Sequence, residues 1–223
     1  MLPLVFNQSM TKSIDGVIAG YDPGGNNCHG LALAQIRNGR CASLECKTME
    51  SADAVLTELE TVDNLVAFGI DTLAAWATGP SGWRAADLWL RERYADIRAS
   101  IVSPNGLYGS MGINGMAVLT AIQKANTEIH VTETHPKVLY RAMTGEKYNY
   151  TKSEHDMDNT LAQWLNYPVK TANDHEWDAV VSVFAALRGL TGVWSHDLFD
   201  EQSQRATGRL VFPSGKAYYW WPE

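Results

Sequence analysis

Apolar and polar positions along the chain switch between two periods, and the switches mark its elements. Gly16–Asp22 is an apolar run that ends at an acid and meets Pro23-Gly24-Gly25-Asn26-Asn27, which reads as a strand followed by a turn. Residues 31–36 are apolar again, Asn38-Gly39 is a strong hairpin signal, and residues 41–48 alternate with strand period. Three antiparallel strands are therefore expected to open the protein. After Ser51, the positions Ala54, Val55, Leu56, Leu59 and Val62 share one helical face as far as about Asn64, which predicts a crossover helix. It leads into residues 65–71, a nearly continuous apolar run of the kind buried on both faces of a parallel sheet, whose last residue is Asp71.

Residues 72–128 read as an elaborated insertion with two helices, about 84–95 and 114–125, separated by a glycine-rich stretch from Pro104 to Gly112. Residues 129–134 return to strand and carry Glu133, and Pro136 stands where the first turn of a helix to Met143 begins. Ser153 with Asp156 resembles a capping box for a helix to about Trp164. Asn173 or Asp174 can cap a longer helix from His175 to Arg188, with Gly189 as its stop. Residues 209–212 and 216–221 around Pro213-Ser214-Gly215 predict a C-terminal hairpin, and no internal repeat is found. The fold class expected is α/β: three antiparallel strands, then parallel strands, flanked by helices, in one domain spanning 1–223.

Hydrophobic residues at 45% and charged residues at 19% are ordinary globular usage, which excludes wholesale disorder. The formal net charge of −7 excludes an overall positive field, so no extended basic surface for nucleic acid or an anionic membrane is expected. An acidic metal site remains compatible with that balance, because bound cations offset carboxylates. Cys28, Cys41 and Cys46 match neither zinc knuckles nor a redox pair. Met1 to Gly20 has no basic start before an apolar stretch and no small-residue cleavage site, and no run of about 18 apolar residues occurs. A cytoplasmic protein with no membrane partner is the expectation.

Asp22, Asp71 and Glu133 each lie at or near the end of an apolar run, and Asp178 lies one turn inside the most apolar late helix. Each alone is equally a turn former or a cap. If their strands are neighbours, however, the acids converge, and converged anions need protons or cations. Hard carboxylate oxygens suit magnesium or manganese better than zinc, and such metals serve phosphodiester displacement. Asp22, Asp71, Glu133 and Asp178 are thus the candidate metal ligands. His175 and Asp178, three apart on a helix, share a face that Ser182 continues, and Glu133 and His135 share a side of a strand, so each pairing allows acid–base work. Arg84 and Arg91 on one predicted helix are candidates to meet substrate phosphates. Asp22-Pro23-Gly24-Gly25 lacks the Gly-Lys-Ser/Thr of a phosphate loop, and Glu154, His155, Asp156 and Asp158 read mainly as helix capping. The aromatic run Tyr218-Tyr219-Trp220-Trp221 reads first as a packed strand and second as a stacking surface.

The order of elements, with acids at these positions, resembles the ribonuclease H-like superfamily. Gly20-Tyr21-Asp22-Pro23-Gly24-Gly25, Gly69-Ile70-Asp71, Glu133-Thr134-His135-Pro136 and His175-Glu176-Trp177-Asp178-Ala179 resemble, more narrowly, the domain-of-unknown-function family numbered four-two-nine, described as predicted nucleases. Arg84-x-x-Asp87-x-x-x-Arg91 and Ser103-Pro104-Asn105 through Gly115-Met116 are similar to that family's middle section, and His175-x-x-Asp178 is similar to the last helix of Holliday-junction resolvases. The chain departs from the pattern after Asp71, where Thr72-Leu73-Ala74-Ala75 replaces a small residue and proline. The resemblance implies a magnesium- or manganese-dependent nuclease acting on nucleic acid. Asp22, Glu133 and Asp178 would then bind metal, Asp71 would bind or support it, His175 would assist proton transfer, and Arg84, Arg91 and Asn105 would position substrate phosphates. Two other classes stay open: a catalytically silent module of the same fold that binds a protein partner or small ligand, and a nucleotide-handling enzyme related to actin-like kinases, which normally has two such domains. DNA against RNA, and a homo-oligomer against a monomer, stay open as well.

Overall fold

The computed structural model describes residues 13–71, 73–106, 109–206 and 208–223, without the side chains of residues 152, 154 and 155. The reading of the chain's first twenty residues therefore lies partly outside the described residues, as do the side chains of Glu154 and His155 in the acidic capping cluster. Strands β1 (Gly16–Asp22), β2 (His29–Arg37) and β3 (Arg40–Met49) form an antiparallel meander. Asn38 and Gly39 take the left-handed conformation at the β2–β3 turn, with φ of 51° and 71°, as an Asn-Gly hairpin turn requires. Ser51 caps helix α1 (Ala52–Glu60), accepting from the Ala54 N–H at 3.1 Å. The helix crosses to β4 (Leu65–Ile70), which lies parallel to β1.

Between β4 and the next sheet strand lie β5 (Trp76–Ala77), α2 (Ala85–Arg93), two short 3-10 turns and α3 (Gly109–Ala125). The last of these begins five residues earlier than its apolar periodicity indicates, because Gly109 to Asn114 turn helical under an exposed face that periodicity does not register. Strand β6 (His130–Glu133) then adds parallel to β4, completing a sheet in the order β3-β2-β1-β4-β6. That order and those directions are those of a ribonuclease H-like sheet. Helices α4 (Pro136–Thr144) and α5 (Tyr150–Leu165) follow, the latter with non-helical backbone at Ser153 that separates its first turn from the rest. Helix α6 (Asp174–Leu190) is capped by Asn173, whose side chain accepts from the Glu176 N–H at 3.0 Å.

Helix α6 does not stop at Gly189. A Cβ there would lie 1.9 Å from the Trp220 ring, so that glycine admits a packed indole, and the chain leaves the helix at Thr191 and Gly192, the latter at φ 74°. The C-terminal strands also differ from the hairpin read in the sequence. β8 (Leu210–Val211) pairs with β5, and β9 (Trp220–Trp221) pairs with β7 (His196–Asp197). Between them Tyr218 runs parallel to β6, donating its N–H to the Val131 carbonyl and accepting from the Glu133 N–H. The open backbone groups of the edge strand β6 are thus covered by the C-terminal segment, a long-range pairing that outcompetes the local one.

The sheet has two packed faces. Ile18, Ala32, Ala34 and Ala67 meet α6, whereas Ala19, Tyr21, Leu31, Phe68 and Val131 meet α1 and α3. On the first face three glycines admit the helix backbone itself: a Cβ at Gly30, Gly20 or Gly69 would lie 1.9, 2.0 or 2.1 Å from the carbonyl oxygens of His175, Ala179 and Ser182. Those three residues form one stripe of α6, and Gly20 and Gly69 are register partners on adjacent strands. Replacing Gly69 by alanine forces α6 off the sheet. The Gly69→Ala variant should lose about 1–3 kcal/mol in urea denaturation, while Gly25→Ala, where a Cβ meets nothing within 4 Å, should stay within about 0.5 kcal/mol of the parent. Equal stability of the two variants would contradict the packing described.

Candidate metal centre

Asp22 is the last residue of β1, and Asp71 follows β4 with its N–H donated to the Tyr21 carbonyl at 2.8 Å, which continues the parallel ladder and sets the two acids side by side. Asp178 enters from the second turn of α6. One ligand atom from each of Asp22, Asp71 and Asp178 lies within 4.8 Å of the others. Asp22 and Asp178 are buried, Asp71 is half-buried, and Asp178 Oδ1 is buried with no hydrogen-bond partner. His175 Nδ1 sits 2.7 Å from Asp22 Oδ2. One turn beyond Asp178 on the same stripe, Ser182 Oγ bonds Thr134 Oγ1 at 2.7 Å and the Asp178 carbonyl at 3.1 Å, pinning helix to sheet beside the acids.

Glu133 lies elsewhere. Its register partner is Ile70, so Asp71 falls opposite Thr134, and with side chains alternating across the sheet Glu133 points to the opposite face. There its oxygens take two bonds from Arg84, at 2.7 and 2.8 Å, and one from the Ala74 N–H at 2.6 Å. Arg84 in turn bonds both oxygens of Asp87 and the Ala75 carbonyl, so all five of its guanidinium N–H groups are engaged, and all three charged side chains are buried. Among the predicted phosphate contacts, Arg84 is thereby committed to fastening the insertion to β6. Arg91 stacks on Trp83 at 4.8 Å and donates to the Arg98 and Ile101 carbonyls. Asn105 packs on Gly82, whose Cβ would lie 2.5 Å from the Asn105 amide, and lines an apolar cavity of about 760 Å³ with Leu73, Trp76, Ile113 and Met116.

His135 bonds the Ser100 carbonyl through Nε2 at 3.0 Å, and burial lowers its pKa to about 4. The Pro23–Asn27 turn connects two strands, as expected, and is held by Asn114, which donates to the Gly24 carbonyl at 2.8 Å. A residue that the pattern of the sequence does not single out is Lys137. It lines a cleft of about 410 Å³ together with Asp71, Thr134 and His135. Its only signal in the sequence is a lysine in the first turn of a helix, where a cation opposes the helix dipole.

No family model and no curated protein matches the chain. Among solved structures, Thermus thermophilus RuvC is similar at 16% identity and a TM-score of 0.41, over 79% of this chain and 96% of that one. The T. thermophilus RuvC in complex with Holliday junction substrate gives 15% identity and 0.42 over the same shares. An exopolyphosphatase from Cytophaga hutchinsonii gives 9% identity and 0.16 over 79% of this chain and 49% of that one. The fold assignment rests on the strand order and directions described above. Among the described residues no helix is long and apolar enough to cross a membrane.

Burial raises the pKa of all three acids. For Asp71 the next contribution is the charge of Asp22, for Asp178 the charges of Asp22 and Asp71, while for Asp22 the His175 hydrogen bond pulls the other way. The bond to Asp22 raises the pKa of His175. Above the ordinary carboxylate value of about 3.9 and up to the raised folded values, the folded chain holds protons that the unfolded chain has released, so stability falls as pH rises through that window. His175 acts in the same direction: its contribution is present below the ordinary imidazole value and is lost as pH rises through its raised one. Buried His29 and half-buried His135, both lowered by desolvation, act oppositely, so the comparison is made between variants. In EDTA at pH 8, Asp178→Asn should melt above the parent, by about 2–4 °C for each kcal/mol of repulsion relieved, with the gap closing toward pH 5. Manganese should raise the melting temperature of the parent and leave the variant nearly unmoved. A variant less stable than the parent at pH 8 would contradict the electrostatic picture.

Proposed function

We propose that the protein is a metal-dependent nuclease hydrolysing phosphodiester bonds at the Asp22, Asp71 and Asp178 centre. The observation that carries this reading is the convergence of three carboxylates within 4.8 Å, one of them with a buried, unpartnered oxygen. Such a set is costly unless protons or cations are shared among its members. All-oxygen donors fit magnesium or manganese. A divalent cation bound there would supply Lewis-acid stabilisation of the charge that develops on phosphate oxygens. Asp22 orients His175 through Nδ1, which leaves Nε2 of the part-exposed ring to exchange a proton with water. Glu133 and Arg84 hold the insertion against β6, and Arg91 holds the 98–101 turn.

A second reading, a catalytically silent module that takes a small ligand, is favoured by the apolar cavity beside α3, where Ile113 is 71% exposed. Cleavage of labelled single-stranded, duplex, hybrid and branched DNA and RNA, with magnesium or manganese, separates the two. The wild type should cleave at least one substrate, and Asp22→Asn and Asp178→Asn should lose roughly 10²-fold or more with circular dichroism unchanged. No cleavage of any substrate at high enzyme concentration, or undiminished cleavage by Asp22→Asn, would overturn the nuclease reading.

A further inference from the structure

We propose that Lys137 forms a phosphate subsite in the cleft beside Asp71, taking a backbone phosphate of the substrate strand; this rests on the nuclease reading above. Lys137 stands in the first turn of α4, directly after Pro136. A cation at that end of a helix costs about 0.3–1 kcal/mol against the dipole, and among the described residues no carboxylate pairs with it within 4.0 Å to offset the cost. The position is therefore unfavourable for the helix dipole, and a local rule broken beside a cleft points to a functional position.

The surroundings hold the ammonium at the cleft. Lys137 Nζ lies 5.2 Å from the centroid of the Tyr148 ring, a cation–π contact, and Tyr148 is itself wedged edge-on against Trp177 of α6 at 5.4 Å. From there the charge reaches Asp22, Asp71 and Asp178, opposing the rise that burial imposes on each. The other described cation lining the same cleft, Arg84, has every guanidinium donor engaged by Glu133, Asp87 and the Ala75 carbonyl. An anionic strand entering beside Asp71 thus meets one uncommitted positive charge. A lysine is a point charge on a flexible stem, which suits a phosphodiester oxygen without demanding the planar fork geometry of a carboxylate.

Neutralising a strand phosphate releases condensed counterions, and this gives a readout that a merely structural lysine does not move. In an Asp178→Asn background, which stops cleavage and leaves Lys137 in place, binding of labelled oligonucleotides is followed by fluorescence anisotropy between 50 and 200 mM KCl with magnesium present. Adding Lys137→Gln should weaken binding about tenfold and reduce the slope of log K against log salt by about 0.7 for a single strand or about 0.9 for a duplex. Lys137→Arg should keep the slope. An unchanged slope in Lys137→Gln, whether or not affinity falls, would overturn the subsite while leaving the nuclease reading intact. Absence of binding to every DNA and RNA by the parent would instead overturn the nuclease reading, and the subsite with it.

Discussion

The arrangement depends on how closely one helix lies on the sheet. Helix α6 brings its backbone at His175, Ala179 and Ser182 against β2, β1 and β4, and glycine at 30, 20 and 69 leaves room for it. Ordinary helix-on-sheet packing inserts a layer of side chains, which would hold Asp178 away from the strand ends. With the helix drawn close at the three glycines, a carboxylate on the second turn of α6 reaches acids at the C-terminal ends of β1 and β4, and the His175 ring reaches Asp22. The residues of α6 from Glu176 to Leu187 are buried, so the helix is the centre of the larger core and is held on all sides by α4, α5 and the C-terminal segment.

The same sheet sorts its charges by face. Asp22, Asp71 and Thr134 fall in one row beneath α6, and Glu133, one residue away, falls on the other face with Arg84 and Asp87. The two buried charge clusters have opposite logic. In the Arg84 cluster one guanidinium bridges two carboxylates and every one of its donors is used, so each buried acid has a direct charged partner. In the Asp22 cluster three acids have one histidine and a distant lysine among them, so the site retains demand for positive charge. The bridged cluster fixes the insertion, and the cluster with no arginine or lysine in direct contact has capacity to bind.

Much of the frame was legible in the chain. The Asn38-Gly39 turn, the continuous apolar run before Asp71, the Ser51 cap and Pro136 at the start of α4 each act locally, and local chemistry is what a sequence records. Register is not local. Whether Glu133 or Thr134 stands beside Asp71 turns on a single residue of slip between β4 and β6, and alternation then sends Glu133 to the far face. Long-range pairing was equally hidden: residues 210–211 and 220–221 look like partners of each other, yet β5 and β7 claim them, and β6 takes Tyr218. Gly189 shows the same limit, since a glycine that admits a tryptophan ring is indistinguishable in sequence from one that ends a helix.

The proposed nuclease depends on a divalent cation held among Asp22, Asp71 and Asp178. Anomalous diffraction from crystals grown with millimolar manganese tests it most directly. A manganese peak in contact with all three carboxylates is expected, and none at Glu133, whose oxygens Arg84 occupies. A map with no peak among the three acids while they remain gathered, or one whose peak lies at Glu133, would contradict it.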